Sequence, residues 1–227
     1  MLCVGNGFSL GGWMRAVIVA NGPMAKPPLG TLVRRGGDLV VCVDGGAAHS
    51  LTLGLKPDVV VGDMDSIDPA LRQHLMEEGV RMVEFPRRKD ETDLELAVRY
   101  AVTEGATDLV LLGALGGRID HTLANLMLLA SPELEGVGAR IVEGNQEVFL
   151  VREEAVIEGK PGDTVSLLPL TEDAAGIYTE GLEYPLRDGV LTFGAARGVS
   201  NVLLDPRARV RLKKGLLLVV HHHQERS

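Results

Sequence analysis

The sequence predicts a two-part α/β protein, a parallel-sheet domain with crossover helices followed by a smaller all-β sandwich. Three observations carry this. Short apolar runs alternate with helical periodicity from Arg15 to about Val142, the helical periodicity stops after Gly144, and beyond it short runs are split by Gly, Pro and Asp turn signals. The 227 residues, 45% of them hydrophobic, can fill one large core or two modest ones. The expected division is a disordered tail over 1–14, the α/β domain over 15–145, the sandwich over 146–220 and a second tail over 221–227.

In chain order, Met1 to Trp13 is Gly-rich and lacks the cationic start and apolar stretch of a signal peptide. It reads as a tail or an upstream start, with Met14 directly before the first strand. Strands are predicted over 16–20, 39–43, 58–61, 80–84, 108–112 and 139–142. Leu94, Ala97, Val98, Ala101 and Val102 recur at helical spacing, as do Leu123, Leu126, Met127 and Ala130. Thr92 with Glu95 has the spacing of a capping box, which puts Asp93 in a first helical turn. After Gly144 the strand-like runs are 147–151, 155–157, 164–169, 190–193 and 216–220. The three histidines His221 to His223 are expected in a solvated tail or tag remnant.

Composition narrows the function classes. A net charge of −8 argues against a general nucleic-acid binder, which needs a basic face to displace counterions from phosphates. Cys3 and Cys42 do not make a disulfide framework, so a reducing cytoplasm is the natural setting, and no apolar run is long enough to span a bilayer. Cys42 reads as core, and His49 and His121 as helix-end or supporting groups.

The richest segment is Pro57 to Ser66, where an apolar run stops at Gly62 and then presents Asp63 and Asp65. Residues two apart on an extended chain point the same way, so both carboxylates can enter the crevice at the carboxyl end of a parallel sheet. Hard Mg²⁺ takes oxygen ligands and suits such a pair better than Zn²⁺. The same residues also spell a turn that caps the next helix through Asp65 or Ser66, and the pair alone leaves both readings open. Asp93 could complete a metal shell, and Lys89 beside it could reach a phosphate, although a helix N-terminus explains Asp93 without function. Arg87 and Arg88 read as a solvated charge run. Leu112 to Arg118 follows a strand and precedes a helix, so its glycines let backbone N–H groups approach phosphate oxygens, and Arg118 could neutralise a transferring group. Asp44-Gly45-Gly46 offers a second close-approach turn. Neither a Walker A loop nor a Gly-x-Gly-x-x-Gly fingerprint occurs. Several clusters beyond strand ends on one sheet edge point to a phosphate and metal site.

The chain resembles the thiamine pyrophosphokinase family. The resemblance rests on Asp44-Gly45-Gly46-Ala47, on Pro57-Asp58 through Gly62-Asp63-Met64-Asp65-Ser66, on Lys89-Asp90 with Thr92-Asp93, and on Leu115-Gly116-Gly117-Arg118-Ile119-Asp120-His121-Thr122-Leu123-Ala124-Asn125. It continues through Gly181 to Leu186, with Tyr184, and through Gly198-Val199-Ser200-Asn201. The resemblance implies transfer of an intact pyrophosphoryl group from ATP to the thiamine hydroxyl, giving thiamine diphosphate and AMP. It implies Mg²⁺ on Asp63, Asp65 and Asp93, with Arg118 and Asp120 at the reacting centre. Asp44, Gly45, Gly46, Lys89, Thr92, Arg118 and Thr122 would meet the nucleotide, and Tyr184, Ser200 and Asn201 would meet thiamine. A homodimer with its acceptor site between subunits is implied as well. Two other readings share the residue-level chemistry: a pyrophosphokinase for another alcohol such as a hydroxymethylpterin, and a nucleotide-sensing module without turnover.

Overall fold

The computed structural model describes residues 14–24 and 35–224, which fall into two compact units divided between Gly144 and Asn145. The tail expected over 1–14 lies outside the described residues except for Met14, which opens the first strand.

In the N-terminal unit the strands are β1 (Met14–Val19), β2 (Leu39–Val43), β3 (Val59–Gly62), β4 (Arg81–Glu84), β5 (Ala106–Leu112) and β6 (Gly138–Glu143). They pair in the order β6-β5-β1-β2-β3-β4, and every pairing is parallel. The helices are α1 (Gly46–Thr52), α2 (Pro69–Glu77), α3 (Asp93–Thr103) and α4 (Ile119–Leu128). Strands covered on both faces need apolar side chains throughout, which is why 39–43 and 109–112 read as unbroken apolar runs. One face packs Val17, Val19, Val40, Cys42, Val60, Val110 and Leu112 against Ala47 of α1 and Leu75 of α2. α3 lies against β1, β2, β3 and β5 through its buried Leu94, Ala97, Val98 and Ala101. Burial pushes the Cys42 thiol up to about 12, so it behaves as an inert apolar side chain, as expected.

Helix starts follow local chemistry. Asp68 caps α2 by accepting the Ala70 and Leu71 N–H groups, each at 3.0 Å, so the cap is neither Asp65 nor Ser66. Thr92 caps α3 by accepting the Glu95 N–H at 3.2 Å. The reciprocal half of the box is missing, because the Glu95 carboxylate is drawn to Arg99 at 3.3 Å. α4 forms where its spacing predicts it, but its apolar stripe faces outward: Ile119, Leu123 and Met127 are exposed, and Asn125 is the buried residue, its amide donating to the Ala114 carbonyl at 2.7 Å.

The C-terminal unit holds two antiparallel sheets. One has the order β12 (Asn201–Val202), β9 (Thr164–Pro169), β14 (Leu217–His222), β7 (Gln146–Val151). The other runs β11 (Gly189–Leu191), β10 (Ala174–Glu180), β13 (Arg207–Arg211), β8 (Glu154–Glu158). Their inner faces share one core, with Val165, Leu167, Leu217 and Val219 from the first sheet meeting Ile157, Ile177, Ala208 and Val210 from the second. The expected tail over 221–227 is corrected at its start. His221 and His222 finish β14, and His221 is 1% exposed because its ring is buried beside Asp163.

Candidate active site

The carboxyl ends of the parallel strands gather the acidic residues. β2 and β3 pair with Val43 opposite Val61, so the next residues, Asp44 and Gly62, are neighbours across the two strands. Asp44 is 4% exposed, sits at a φ of 44°, and accepts the Met64 N–H at 3.0 Å. Its carboxylate fills the space above Gly62, where a Cβ would stand 1.9 Å from Oδ1. The chain then turns through Asp63, whose carboxylate accepts the Asp65 N–H at 3.1 Å, while Asp65 accepts the Ser66 hydroxyl at 2.8 Å. One oxygen from each of Asp44, Asp63 and Asp65 lies within 4.8 Å of the others.

Three carboxylates this close repel one another, and the pKa directions show which gives way. Burial pushes the Asp44 carboxyl up to about 6, the negative charges of Asp93, Asp63 and Asp65 add to it, and the Met64 N–H opposes them. Asp65 moves the other way, held below the usual carboxylate range by the Ser66 hydroxyl, then by Asp63 and by the cations Arg87 and Lys89. Arg87, expected in a solvated charge run, is exposed and pairs with Asp65 at 2.8 Å. A buried carboxylate kept uncomfortable by its acidic neighbours, in a set made wholly of oxygen donors, fits a hard divalent cation such as Mg²⁺.

The expected metal trio was Asp63, Asp65 and Asp93, and the structure groups Asp44 with the first two instead. Asp93 is close enough for its charge to act on Asp44, but its carboxylate is ion-paired with Lys89. Lys89 also lies over the Phe85 ring, 5.6 Å from its centroid. The signal for Asp44 was present in the sequence as an acid directly after an apolar strand, yet Asp44-Gly45-Gly46 also opens α1, a helix the turn reading did not anticipate. Gly46 serves packing there, since a Cβ would stand 2.2 Å from the Val19 carbonyl oxygen.

The end of β1 meets the end of β5, the point at which the strand order reverses, and open parallel sheets bind ligands at such a crevice. Ala20 and Gly22 donate to the carbonyls of Leu112 and Gly113 at 2.8 and 3.0 Å. In the glycine loop after β5, the Gly116 N–H donates to the Thr122 hydroxyl at 3.1 Å. Arg118 forms a two-bond pair with Asp120 at 2.5 and 3.1 Å, and this holds the Asp120 carboxyl down at about 2. Both side chains are exposed, so the pair can open toward a ligand at little cost.

In the C-terminal unit, Leu167, Tyr184, Pro185, Leu186, Leu191, Arg197, Gly198 and Asn201 line a cavity of about 310 Å³. Tyr184 is 65% exposed, so it is not a plug of the sandwich core. Asn201 is occupied by holding Tyr184: it accepts the Tyr184 N–H at 3.0 Å and donates to the Tyr184 carbonyl at 2.8 Å. Its place is thus behind the aromatic residue, fixing it. Ser200 sits at a φ of 59°, with its N–H donating to the Ser166 hydroxyl at 3.1 Å. Arg197 is a cavity residue that no sequence motif signalled.

Comparison with known proteins gives concordant matches. Residues 33–141 match the family described as thiamin pyrophosphokinase, catalytic domain, and residues 151–217 match thiamin pyrophosphokinase, vitamin B1 binding domain. The chain is 28% identical over 205 residues to a thiamine pyrophosphokinase of Bacillus subtilis, covering 89% of this chain and 96% of that protein. It is 26% identical over 231 residues to thiamine pyrophosphokinase 1 of Oryza sativa, covering 90% of this chain and 86% of the relative. The crystal structure of thiamine pyrophosphokinase from Bacillus subtilis superimposes with a TM-score of 0.83 at 26% identity, over 93% of this chain and 100% of that one. The Candida albicans thiamin pyrophosphokinase shares the fold, with a TM-score of 0.78 at 18% identity, over 93% of this chain and 90% of that one.

Proposed function

Because the chain belongs to the thiamin pyrophosphokinase family, we propose that its N-terminal unit binds ATP and its C-terminal unit receives thiamine, with an intact pyrophosphoryl group passing to the thiamine hydroxyl. The chain is an enzyme of that family, a transferase. Both family matches are named for thiamin, so neither a hydroxymethylpterin acceptor nor a nucleotide sensor without turnover is favoured.

The observation that carries the mechanism is the carboxylate cluster of Asp44, Asp63 and Asp65 at the strand ends. These three residues would hold Mg²⁺, with Asp93 joining once Lys89 turns to a phosphate. When bound, the ion supplies positive charge beside the phosphate oxygens of the nucleotide. The thiamine hydroxyl oxygen attacks the β-phosphorus and gives up its proton to solvent, the bond to the oxygen bridging the α- and β-phosphorus breaks, and AMP departs. Arg118 turns free N–H groups to the developing charge on the leaving oxygen, while Asp120, ionised at any working pH, keeps its bond to the guanidinium and orients it. Gly45, Gly46, Thr92 and Thr122 shape the ends of α1, α3 and α4 around the nucleotide. Tyr184 presents its ring to the cationic heterocycle of thiamine while Asn201 holds its backbone and Ser200 adds a polar contact. A homodimer is supported by the outward apolar stripe of Ile119, Leu123 and Met127 on α4. A cytoplasmic location belongs to the same reading and rests on the two cysteines, Cys3 and Cys42, which do not make a disulfide framework. No helix among the described residues is long and apolar enough to cross a membrane.

Incubation with ATP, Mg²⁺ and thiamine should yield AMP and thiamine diphosphate. ADP with thiamine monophosphate would overturn the mechanism. Tyr184→Ala should raise the KM for thiamine about 2- to 30-fold, the equivalent of a face contact worth about 0.5 to 2 kcal/mol, with ATP affinity and melting temperature unchanged. A fall in melting temperature that disturbs both substrates would remove the stacking role.

A further inference from the structure

The C-terminal unit carries a second cluster of metal-binding side chains, built from residues the pyrophosphoryl transfer does not use. β14 pairs with β7 so that His221 stands directly opposite Glu147. Side chains two apart on a strand share a face, so His223, just past the strand end, returns to the side of His221, and His222 points away and is exposed. On its other edge β14 pairs with β9, where His222 lies opposite Thr164, and this brings the preceding Asp163 up to both rings. His221 Nε2 is 3.1 Å from Asp163 Oδ2, and His223 Nδ1 is 3.5 Å from the same oxygen. The rings lie 4.0 Å apart between centroids. Glu147, His221 and His223 each offer one donor atom within 4.8 Å of the others.

We propose that Glu147, His221 and His223 bind a first-row transition cation of the Zn²⁺ type, which clips the end of β14 to β7. Two imidazoles and one carboxylate are the donor set of a borderline cation and not of Mg²⁺, so the two clusters select different ions. The gap of 3.9 Å between His223 Nε2 and Glu147 Oε1 is too wide for a hydrogen bond. Two ligands of a tetrahedral ion, each about 2 Å from it, stand about 3.3 Å apart, so a small inward turn of these two partly exposed side chains would admit the ion. Asp163 is 1% exposed and accepts the Lys160 and Gln224 N–H groups at 2.9 Å each, so it is rigidly placed behind the histidines. That is the arrangement by which a carboxylate fixes ring orientation and tautomer for a metal-bound imidazole.

The test is calorimetric titration of the full chain with ZnCl₂ while millimolar Mg²⁺ occupies the carboxylate cluster. One equivalent of Zn²⁺ should bind and raise the melting temperature, and Co²⁺ should give the visible absorption of a low-coordinate nitrogen and oxygen site. His223→Ala and Glu147→Gln, both partly exposed positions, should each weaken Zn²⁺ by at least about tenfold. His222→Ala should bind as the parent does. Absence of Zn²⁺ binding, or an equal loss with His222→Ala that reveals mere chelation by the histidine tract, would overturn the proposal.

Discussion

Asp63→Asn and Asp65→Asn are each expected to lower kcat by about a hundredfold or more with the fold intact. Each substitution removes one charged oxygen from the set proposed to hold a cation against phosphate oxygens, and such electrostatic stabilisation of a transition state is worth about 3 kcal/mol or more. Both side chains are partly or fully exposed, so neither loss propagates into the core. The double variant should lose less than the product of the two, because one misplaced ion cannot be lost twice. Asp93→Asn separates two roles. A comparable loss assigns Asp93 to the ion, whereas near-normal turnover at saturating Mg²⁺ reduces it to a charge in the first turn of α3 that pairs with Lys89. Full activity in Asp63→Asn and Asp65→Asn together would end the metal reading.

Asp44→Asn should produce opposite effects on stability and catalysis. The Asp44 carboxyl is pushed up to about 6 in the fold, and its unfolded value is about 3.9. The folded state therefore holds the proton more tightly. The stability this contributes is full below about pH 3.9 and is lost as pH rises through about 6, leaving the metal-free fold weaker by about 3 kcal/mol at pH 8. Asparagine carries no charge, tolerates the positive φ at this position and can still accept the Met64 N–H. In EDTA at pH 8 the variant should melt roughly 5 to 10 °C above the parent, with the difference vanishing toward pH 4. Under the proposed Mg²⁺ site, saturating Mg²⁺ should reverse the order, since an ion held by the folded state alone stabilises it. A difference independent of pH would show that Asp44 does not titrate as its surroundings require.

The parts of this protein legible in its sequence are those whose signal is local. Strands buried on both faces announce themselves as apolar runs, and Asp63 with Asp65 stands out beyond one of them. β13 escaped because Arg207, Arg209 and Arg211 alternate with buried Ala208 and Val210, so charge masks a half-buried strand. β10 is broken by Gly176, which sits at a φ of 67°, and β12 is only two residues long. The placement of Asp44 beside Asp63 depends on the register of β2 against β3, and that of Glu147 beside His221 on β7 against β14. Register joins residues far apart in the chain, so composition and spacing carry no trace of it. The outward stripe of α4 was hidden for a related reason: helical spacing reveals that a face is apolar, not what it faces.

Gly62 contributes no functional atom, yet the seat of the Asp44 carboxylate is the volume that glycine leaves vacant. Among related chains, a census of acidic residues would therefore score a protein as competent even if position 62 had gained a single methyl group and the carboxylate had been evicted. In this chain the acidic set is only as good as that absent side chain. Any campaign to rigidify the protein by replacing glycines should leave position 62 untouched.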